Sequence, residues 1–350
     1  MRFLIQLAAK NLFRYRRRTI ITATVIAVGL MMFLIIDSLL VGIDRESVRN
    51  LKLYETASLK IMHADYWEDR ILMPLDVSIT DPYRLMTDLH DAGYRATVRT
   101  RFSADLILYQ DDFGEDGSLP VQVTAVDTAF DSTVFALEQT LIDGRYPTMG
   151  SNEMVIGSWL AEDLNAKTGY WVTLVTRGNG GFFEAIDMQI VGIVNCPNPN
   201  VNRSLLMVPI DTISEYLAME NRATEIAIAL SDSAHIDRQR QRIAQIISLS
   251  EEPLAIMSWD EMASDYIAMI QAEKGGSAVM LFLVFLIAAV GISNTMIMVI
   301  NERIRELGMM RALGMSDSQI HWLFILEAAG IGLLGSIAGT LAGILANFYL

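Results

Sequence analysis

The chain has 350 residues, of which 52% are hydrophobic and only 19% are charged, and its formal net charge is −14. Soluble domains typically contain about 45–50% apolar and about 25% charged residues, so this composition favours membrane-spanning segments. Residues 1–43 hold six basic residues and one acidic residue. Residues 44–275 hold 36 acidic and 18 basic residues, which argues against a nucleic-acid partner for this part of the chain.

The N-terminal segment, residues 1–18, has apolar residues at helical spacing with polar and basic residues on the opposite side. This pattern predicts an interfacial amphipathic helix along the inner leaflet, with its arginines facing anionic headgroups of the membrane lipid. A plain cytoplasmic extension that sets the membrane topology would also explain the basic cluster.

Three stretches are long and apolar enough to be transmembrane helices, at residues 19–43, 276–300 and 320–350. The basic residues before the first helix place the N-terminus in the cytoplasm. Residues 44–275 are then extracytoplasmic, and residues 301–319 form a cytoplasmic loop. The predicted fold class is an α-helical membrane domain with three spanning helices plus a large extracytoplasmic α+β domain.

The outer region has strand–helix–strand patterns near both of its ends, at residues 57–110 and 224–259, and a strand-rich section between them. Two such ends can pack together as one lobe. We therefore expect a porter-like lobe formed by about residues 44–118 and 222–275, with a β-rich lobe inserted at about residues 119–221.

No arrangement typical of an active site or a metal site is found in the sequence. Cys196 is the single cysteine, and the four histidines are scattered. The acidic run from Asp111 to Asp116 resembles a calcium loop, but its spacing does not fit the pattern, so a solvated loop is favoured. The chain also has no G-x-x-x-x-G-K-[ST] motif. We expect a non-catalytic chain with no catalytic residues, no metal and no bound cofactor of its own.

The loop after the second spanning helix, NERIRELGMMRALGMSDSQI, has a motif that points to a family. Its E-R-x-x-E-[LI]-G-x-x-[RK]-A-x-G run resembles that of the FtsX-like and MacB-like permeases of ABC transporters. The outer stretch LIDGRYPTMGSNEMVIGSWLAEDLNAKTGYWVTL is similar to a pattern of the same family, with Tyr170 where an Asp is usual. The resemblance covers nearly the whole chain and is greatest to the LolC/LolE lipoprotein-releasing branch.

The resemblance implies a permease subunit of a mechanotransmission-type ABC transporter in the bacterial inner (cytoplasmic) membrane. A separate cytoplasmic ABC ATPase would use ATP and Mg, and a second permease subunit would complete a homodimer or heterodimer. Lipoprotein release from the inner membrane is the leading function, with a lipoprotein or a periplasmic adaptor as a further partner. The alternatives are MacB-type efflux of peptides or toxins and an FtsX-type regulatory scaffold for an envelope hydrolase.

The family plan has four spanning helices, whereas this sequence carries three. We expect either that a fourth helix has been removed or that the layout differs. A membrane-tethered sensor or enzyme is a further class, which the absence of catalytic clusters and the patterned inner loop both disfavour.

The resemblance implies that the loop is a coupling helix that receives the motion of the ATPase. Arg303 and Glu306 are three residues apart and can pair across one helical turn, as can Glu302 and Arg305. The methionines and leucines would form an adaptable docking surface. The predicted ATPase-coupling residues are Glu302, Arg303, Glu306, Leu307, Gly308, Met309, Met310, Arg311, Leu313 and Gly314.

The ends of this short helix also have recognisable signals. Gly314 is expected to end it, while Ser316 and Gln319 form a capping box that begins the third spanning helix.

The third spanning helix carries Gly335, Gly339 and Gly343 at four-residue spacing, which lets helices approach closely in lipid. We expect this face to pack against the second spanning helix, a fourth helix or a second subunit. Glu327 lies in the same helix, where a charge at membrane depth costs about 2.5–3.5 kcal/mol. We therefore expect it to be paired within the protein rather than to relay protons.

Overall fold

The computed structural model describes residues 2–108, 118–230, 236–248, 250 and 252–349, with the backbone alone at Arg18. The chain divides into two compact units. The first, Met1–Arg45 with Asp265–Leu350, is called the membrane unit below. The second, Glu46–Ser264, is called the outer domain.

Helices and strands are numbered here in chain order within the described residues. The helices are α1 (Arg2–Arg14), α2 (Arg16–Leu51), α3 (Pro82–Asp91), α4 (Asp131–Val134), α5 (Ser158–Asp163), α6 (Pro199–Ser204), α7 (Ile210–Tyr216), α8 (Ile236–Ile247), α9 (Trp259–Met262), α10 (Ser264–Glu302), α11 (Ile304–Ala312) and α12 (Asp317–Tyr349). The strands are β1 (Leu59–His63), β2 (Ile79–Thr80), β3 (Arg95–Leu108), β4 (Ser118–Val126), β5 (Leu141–Gly144), β6 (Glu153–Gly157), β7 (Trp171–Arg177), β8 (Phe183–Val194), β9 (Leu206–Pro209), β10 (Arg222–Ala223), β11 (Glu225–Ala229) and β12 (Leu254–Ser258).

Three helical segments of the described chain are long and apolar enough to cross a membrane, namely Thr19–Thr56, Ser264–Glu302 and Asp317–Tyr349. They confirm the three predicted spanning helices. On the outer side α2 continues about two turns beyond residue 43, and α10 begins about three turns before residue 276. The spanning helices are therefore longer than their apolar stretches.

The surface of α10 is apolar along most of its length. Phe282, Leu283 and Phe285 are 64%, 50% and 58% exposed. Water-soluble proteins rarely leave contiguous apolar patches of this kind uncovered, whereas a lipid-facing helix has no reason to bury them. The exposure pattern therefore agrees with a helix surrounded by lipid or by other spanning helices.

Six strands of the outer domain close into a ring in the order β3, β4, β9, β6, β8, β7 and back to β3. Along β8 the burial alternates with a period of two, as expected for a strand with one face on the core. Phe102, Leu174, Ile186 and Met188 are almost fully buried in this core. The middle of the chain is thus a small closed barrel.

A second, antiparallel part of the same sheet runs in the order β12, β1, β11, β3. Helices α3 and α8 contribute Leu85, Leu89 and Ile243 to the core that it shares with the barrel. The 14-residue strand β3 belongs to both parts, because Arg95–Arg99 pair with β11 and Ala104–Leu108 pair with β7. The α+β class of the outer domain is confirmed.

The two predicted lobes are therefore joined by β3 within one hydrogen-bonded sheet. No boundary in the backbone pairing separates residues 44–118 from residues 119–221, since β3 and β4 pair along nine residues. The division into a porter-like and an inserted lobe stays a prediction.

Cys196 lies in the loop after β8 and is buried, with 4% of its surface exposed. Its backbone N–H donates to Asn202 Oδ1 at 2.8 Å, and Asn202 Nδ2 donates back to the Cys196 carbonyl oxygen at 2.8 Å. Val155, Val194 and Met207 pack around it. Burial raises the pKa of this thiol.

Candidate functional site

The predicted coupling segment forms a separate helix, α11, between the second and third spanning helices. Arg303 has φ −104° and ψ 14°, which is outside the helical range and breaks α10 from α11. Gly314 has φ +95°, a left-handed conformation that favours glycine, and so ends the helix as predicted. Ser316 N–H donates to Gln319 Oε1 at 3.0 Å, and Gln319 N–H lies 3.4 Å from Ser316 Oγ. The capping box is confirmed.

The apolar residues of α11 and the turn after it divide into two groups. Ile304, Met309 and Leu313 are 65%, 63% and 86% exposed. Met310 and Met315 are instead partly buried against a cluster of the same unit. The prediction that all of these methionines form the docking surface is wrong for Met310 and Met315, because residues of α1 and α12 pack against them. The surface left for a partner is centred on Met309 and Leu313.

Of the two predicted ion pairs in this segment, only one is found among the described residues, namely Arg303 with Glu306. Arg303 Nε donates to Glu306 Oε2 at 2.8 Å, and this hydrogen bond lowers the pKa of Glu306. Arg14 of α1 approaches Glu306 at 3.7 Å. Glu302 and Arg305 are exposed and form no ion pair among the described residues. Arg311 pairs with Asp317 at the start of α12.

The remaining predicted residues lie within or beside α11. Leu307 is half-buried, and Gly308 is exposed inside the helix, with open space where a Cβ would be. The backbone continues as a helix through Gly308, and the break between α10 and α11 lies at Arg303.

Gly335, Gly339 and Gly343 are buried on one face of α12 and contact α2. A Cβ added to Gly339 would lie 2.6 Å from the Ala27 carbonyl oxygen, and one added to Gly335 would lie 2.8 Å from the Ala23 carbonyl oxygen. The predicted partners of this face were the second spanning helix, a fourth helix or another subunit. This face instead packs on the first spanning helix, which was not among the predicted partners.

Glu327 is buried inside the membrane unit and has two partners there. Asn11 Nδ2 of α1 donates to Glu327 Oε1 at 2.5 Å, and Arg303 Nη1 lies 3.3 Å from the same oxygen. The expected pairing within the protein is therefore confirmed, and Asn11 is a partner that sequence reasoning missed. A polar residue on the buried side of an amphipathic helix was the available signal.

Two buried ion pairs in the outer domain were also missed. Lys60 Nζ lies 2.8 Å from Glu225 Oε1, and Arg99 Nε lies 2.7 Å from Asp131 Oδ1. Burial lowers the pKa of Lys60, and although burial opposes the charge of Glu225, Lys60 holds its pKa below the ordinary value. A cavity of about 120 Å³ opens on Lys60, Arg99 and Glu225.

In each pair the two buried charges satisfy each other, which is the arrangement expected of a structural ion pair. Lys60 and Glu225 are 165 residues apart in the sequence, and Arg99 and Asp131 are 32 residues apart. No local sequence pattern could therefore have shown these pairs.

No group of three or more His, Cys, Asp or Glu residues that could hold a metal ion occurs among the residues that the structure describes. The acidic run from Asp111 to Asp116 lies outside those residues.

The geometry defines a class of protein: a multi-pass membrane protein with a large α+β domain and a short helix between its second and third spans. Residues 19–246 match the family described as MacB-like periplasmic core domain, and residues 278–350 match FtsX-like permease C-terminal. The chain belongs to this family of FtsX-like and MacB-like ABC transporter permeases. The predicted resemblance and the predicted inner-membrane localisation are confirmed.

The individual relatives share only a low sequence identity with this chain. The LolC lipoprotein-releasing system transmembrane protein of Neisseria meningitidis serogroup B is 23% identical over 201 residues, which are 56% of this chain and 48% of that protein. The macrolide export ATP-binding/permease protein MacB of Pasteurella multocida is 22% identical over 174 residues, which are 48% of this chain and 26% of that protein. The chain thus spans about half, or less, of the length of these relatives.

Among solved structures, the periplasmic region of MacB from Actinobacillus actinomycetemcomitans superposes with a TM-score of 0.44 at 15% identity. The match covers 62% of this chain and 95% of the MacB chain.

Proposed function

We propose that this chain is the non-catalytic permease subunit of a mechanotransmission-type ABC transporter. The observation that carries the proposal is the position of α11, a short helix between two spanning helices that exposes Met309 and Leu313. Exposed large apolar side chains beside charged ones, outside the apolar spans, suit the groove of a protein partner. Family membership identifies the fitting partner as a cytoplasmic ABC ATPase.

The ATPase would supply the chemistry. It would bind ATP and Mg and hydrolyse the nucleotide, while this chain, which has no phosphate-binding loop motif, would transmit the resulting motion to the outer domain. A second permease subunit, identical or related, would complete the pair of subunits that two ATPases need.

For the cargo we propose a lipoprotein released from the inner membrane. The outer domain exposes Ile71, Leu72, Phe182 and Phe183, which are 81%, 73%, 76% and 76% accessible. Large apolar side chains that are exposed to solvent would favour an acylated cargo over a polar peptide. The similarity to LolC supports the same choice.

Export of a peptide or small toxin is the second candidate. It is favoured by the match of residues 19–246 to the MacB-like core domain and by the MacB relatives.

The docking proposal is tested with Met309→Asp/Leu313→Asp. The tagged full chain is purified in detergent, the ABC ATPase that accompanies it is identified, and that ATPase is then titrated against the purified chain. Two charges on the exposed face of α11 should abolish binding. Ile142→Asp/Met149→Asp is the matched control, because these two residues are 62% and 66% exposed in the outer domain. Equal binding by both double variants would refute the assignment of α11.

The cargo proposal is tested in proteoliposomes that contain the chain, its ATPase and any second subunit that co-purifies. A triacylated lipoprotein in the bilayer should be released into solution when ATP is added, and its unacylated form should not stimulate ATP hydrolysis. Stimulation by a soluble peptide, with no release of the lipoprotein, would favour export instead.

A further inference from the structure

A buried polar network joins three helices of the membrane unit. Glu327 of α12 is 2% exposed and Asn11 of α1 is 6% exposed. Arg303, at the break between α10 and α11, is 5% exposed. One oxygen of the Glu327 carboxylate accepts from both Asn11, at 2.5 Å, and Arg303, at 3.3 Å. A single group therefore contacts all three of the segments that meet at this end of the unit.

Arg303 is held from several sides at the point where the chain changes direction. Its backbone N–H donates to the carbonyl oxygens of Val299 and Ile300, and its own carbonyl accepts from Leu307 N–H at 3.0 Å in the first turn of α11. Its guanidinium also bonds Glu306 and lies 5.3 Å from the centre of the Tyr15 ring. The orientation of Arg303 thus fixes how α11 leaves α10.

Apolar contacts surround this network. Leu4 and Ala8 of α1 pack with Leu323 of α12, and Met310 of α11 packs against that cluster. One turn beyond Glu327, a Cβ added to Gly330 would lie 2.6 Å from Leu12 Cδ1, so α1 and α12 are in close contact there. The polar network has apolar packing on its flank and is shielded from water.

We infer that Glu327 is a positioning residue that fixes α11 to α1 and α12, so that the three helices move together. Among the described residues, Arg303 is the charged partner of Glu327. An unpaired carboxylate in an apolar setting is unfavourable, so Glu327 stays with Arg303 while the fold persists. A displacement imposed on the exposed face of α11 then also moves α1 and α12 rather than only tilting a loosely attached loop. The inference rests on the proposed docking role of α11 for its function, although not for its geometry.

The geometric part is tested by measuring the distance between α1 and α11. Lys10→Cys and Ala312→Cys, both at exposed positions, are spin-labelled in a Cys196→Ala background, and the full chain is placed in lipid nanodiscs for pulsed electron paramagnetic resonance. The reference chain should give one narrow distance distribution. Glu327→Gln keeps the side-chain shape but removes the charge through which α12 pairs with Arg303, and should abolish the single narrow peak. Ile325→Ala, at an exposed residue of the same helix, is the control and should keep it.

A second variant keeps the test decisive if Glu327→Gln does not fold. Asn11→Ala removes the hydrogen bond from α1 to Glu327, leaves the Glu327–Arg303 pair intact and should broaden the α1–α11 distance without changing expression. A narrow distribution in every folded variant would overturn the inference.

The functional part uses the ATPase that binds the reference chain. Glu327→Gln should retain that ATPase at unchanged affinity but lose most of the ATP turnover that the triacylated lipoprotein stimulates. A purely structural role would lower the yield and leave the turnover per bound complex unchanged, which would also overturn the inference. If the reference chain binds no ATPase, the docking proposal is refuted. The distance measurement then still tests whether Glu327 fixes α11 to α1 and α12.

Discussion

The outer domain and the membrane unit both bury an ion pair, but different forces hold the two units together. In the outer domain, Lys60 and Glu225 lie in a sheet whose core is formed by apolar side chains removed from water. In the membrane unit, Glu327 and Arg303 lie beside helices whose outer surfaces are apolar too. Lipid offers little apolar driving force for helix association, so close approach at small residues and internal hydrogen bonds must take its place. In the outer domain such an ion pair can be replaced as a whole by apolar side chains, whereas in the membrane unit it helps to determine how the helices pack.

The largest expected effect is the loss of stability when the buried ion pair of the outer domain is broken. Glu225→Ala leaves Lys60 buried without its partner and should lower the free energy of unfolding by about 3–5 kcal/mol. Urea unfolding of the full chain in detergent, followed by tryptophan fluorescence, measures it, because four of the five tryptophans (Trp67, Trp159, Trp171 and Trp259) belong to the outer domain.

Lys60→Met/Glu225→Leu serves as the control, since replacing both partners with apolar residues should restore most of the loss. If the single variant unfolds at the same urea concentration as the reference chain, the pair does not stabilise the sheet.

The next effect concerns the membrane unit. Gly339→Ala places a methyl group 2.6 Å from the Ala27 carbonyl oxygen, so α2 and α12 must separate, at a cost of about 1–3 kcal/mol. Gly332→Ala is the matched control on the same helix, where a Cβ meets nothing within 4 Å. Titration of the nanodisc-reconstituted chain with dodecyl sulfate, followed by circular dichroism, should show an earlier transition for Gly339→Ala alone. Equal transitions would mean that the glycine face does not determine this packing.

A smaller effect is expected where α12 begins. Ser316→Ala removes the side chain that faces the Gln319 amide and should destabilise the first turn by about 1 kcal/mol. Hydrogen exchange of the Gln319 and Ile320 amides should become faster, while amides in the middle of α12 stay unchanged. Unaltered exchange at both amides would show that the cap contributes nothing to the turn.

The smallest effect is a pH dependence at the surface of the outer domain, where water and salt screen the ion pair of Glu153 with the exposed Arg145. Hydrogen bonds from Arg145, and then from the Thr148 amide, Ser151 and the Thr148 hydroxyl, lower the pKa of Glu153 from 4.5 to about 2. The folded state therefore gains stability from this ionised carboxylate at pH above 4.5, and loses that gain as the pH falls towards about 2. Glu153→Gln should remove this part of the acid sensitivity, measured as the unfolding midpoint across the same pH range. Unchanged acid sensitivity would contradict the assignment to Glu153.

Much of the membrane unit could be predicted because its signals are local. Apolar length gives the spans, Gly314 gives the end of α11, and Ser316 with Gln319 gives the start of α12. What could not be predicted depends on which helices meet. The glycine face was assigned to the wrong neighbours, and Met310 was taken as exposed, because sequence spacing shows a face but not its partner.

The outer domain shows the same limit in its strands. The alternating pattern of β8 indicates a strand, yet nothing in it shows that β7 pairs with both β3 and β8 and so closes the barrel. Pairs such as Lys60 and Glu225 join strands that are distant in the sequence, and their charges alone suggest a solvated surface. Closure and burial are properties of the whole sheet.

Cys196 makes the two units separately observable in one sample. It is the single thiol of the 350 residues, and its side chain is enclosed in the outer domain, so a maleimide dye can react only when that domain opens. Its labelling rate reports local opening of the outer domain, while dodecyl sulfate titration of helicity reports the spanning helices. An ATPase cycle that loosens the outer domain would therefore appear as nucleotide-dependent labelling, with no engineered probe.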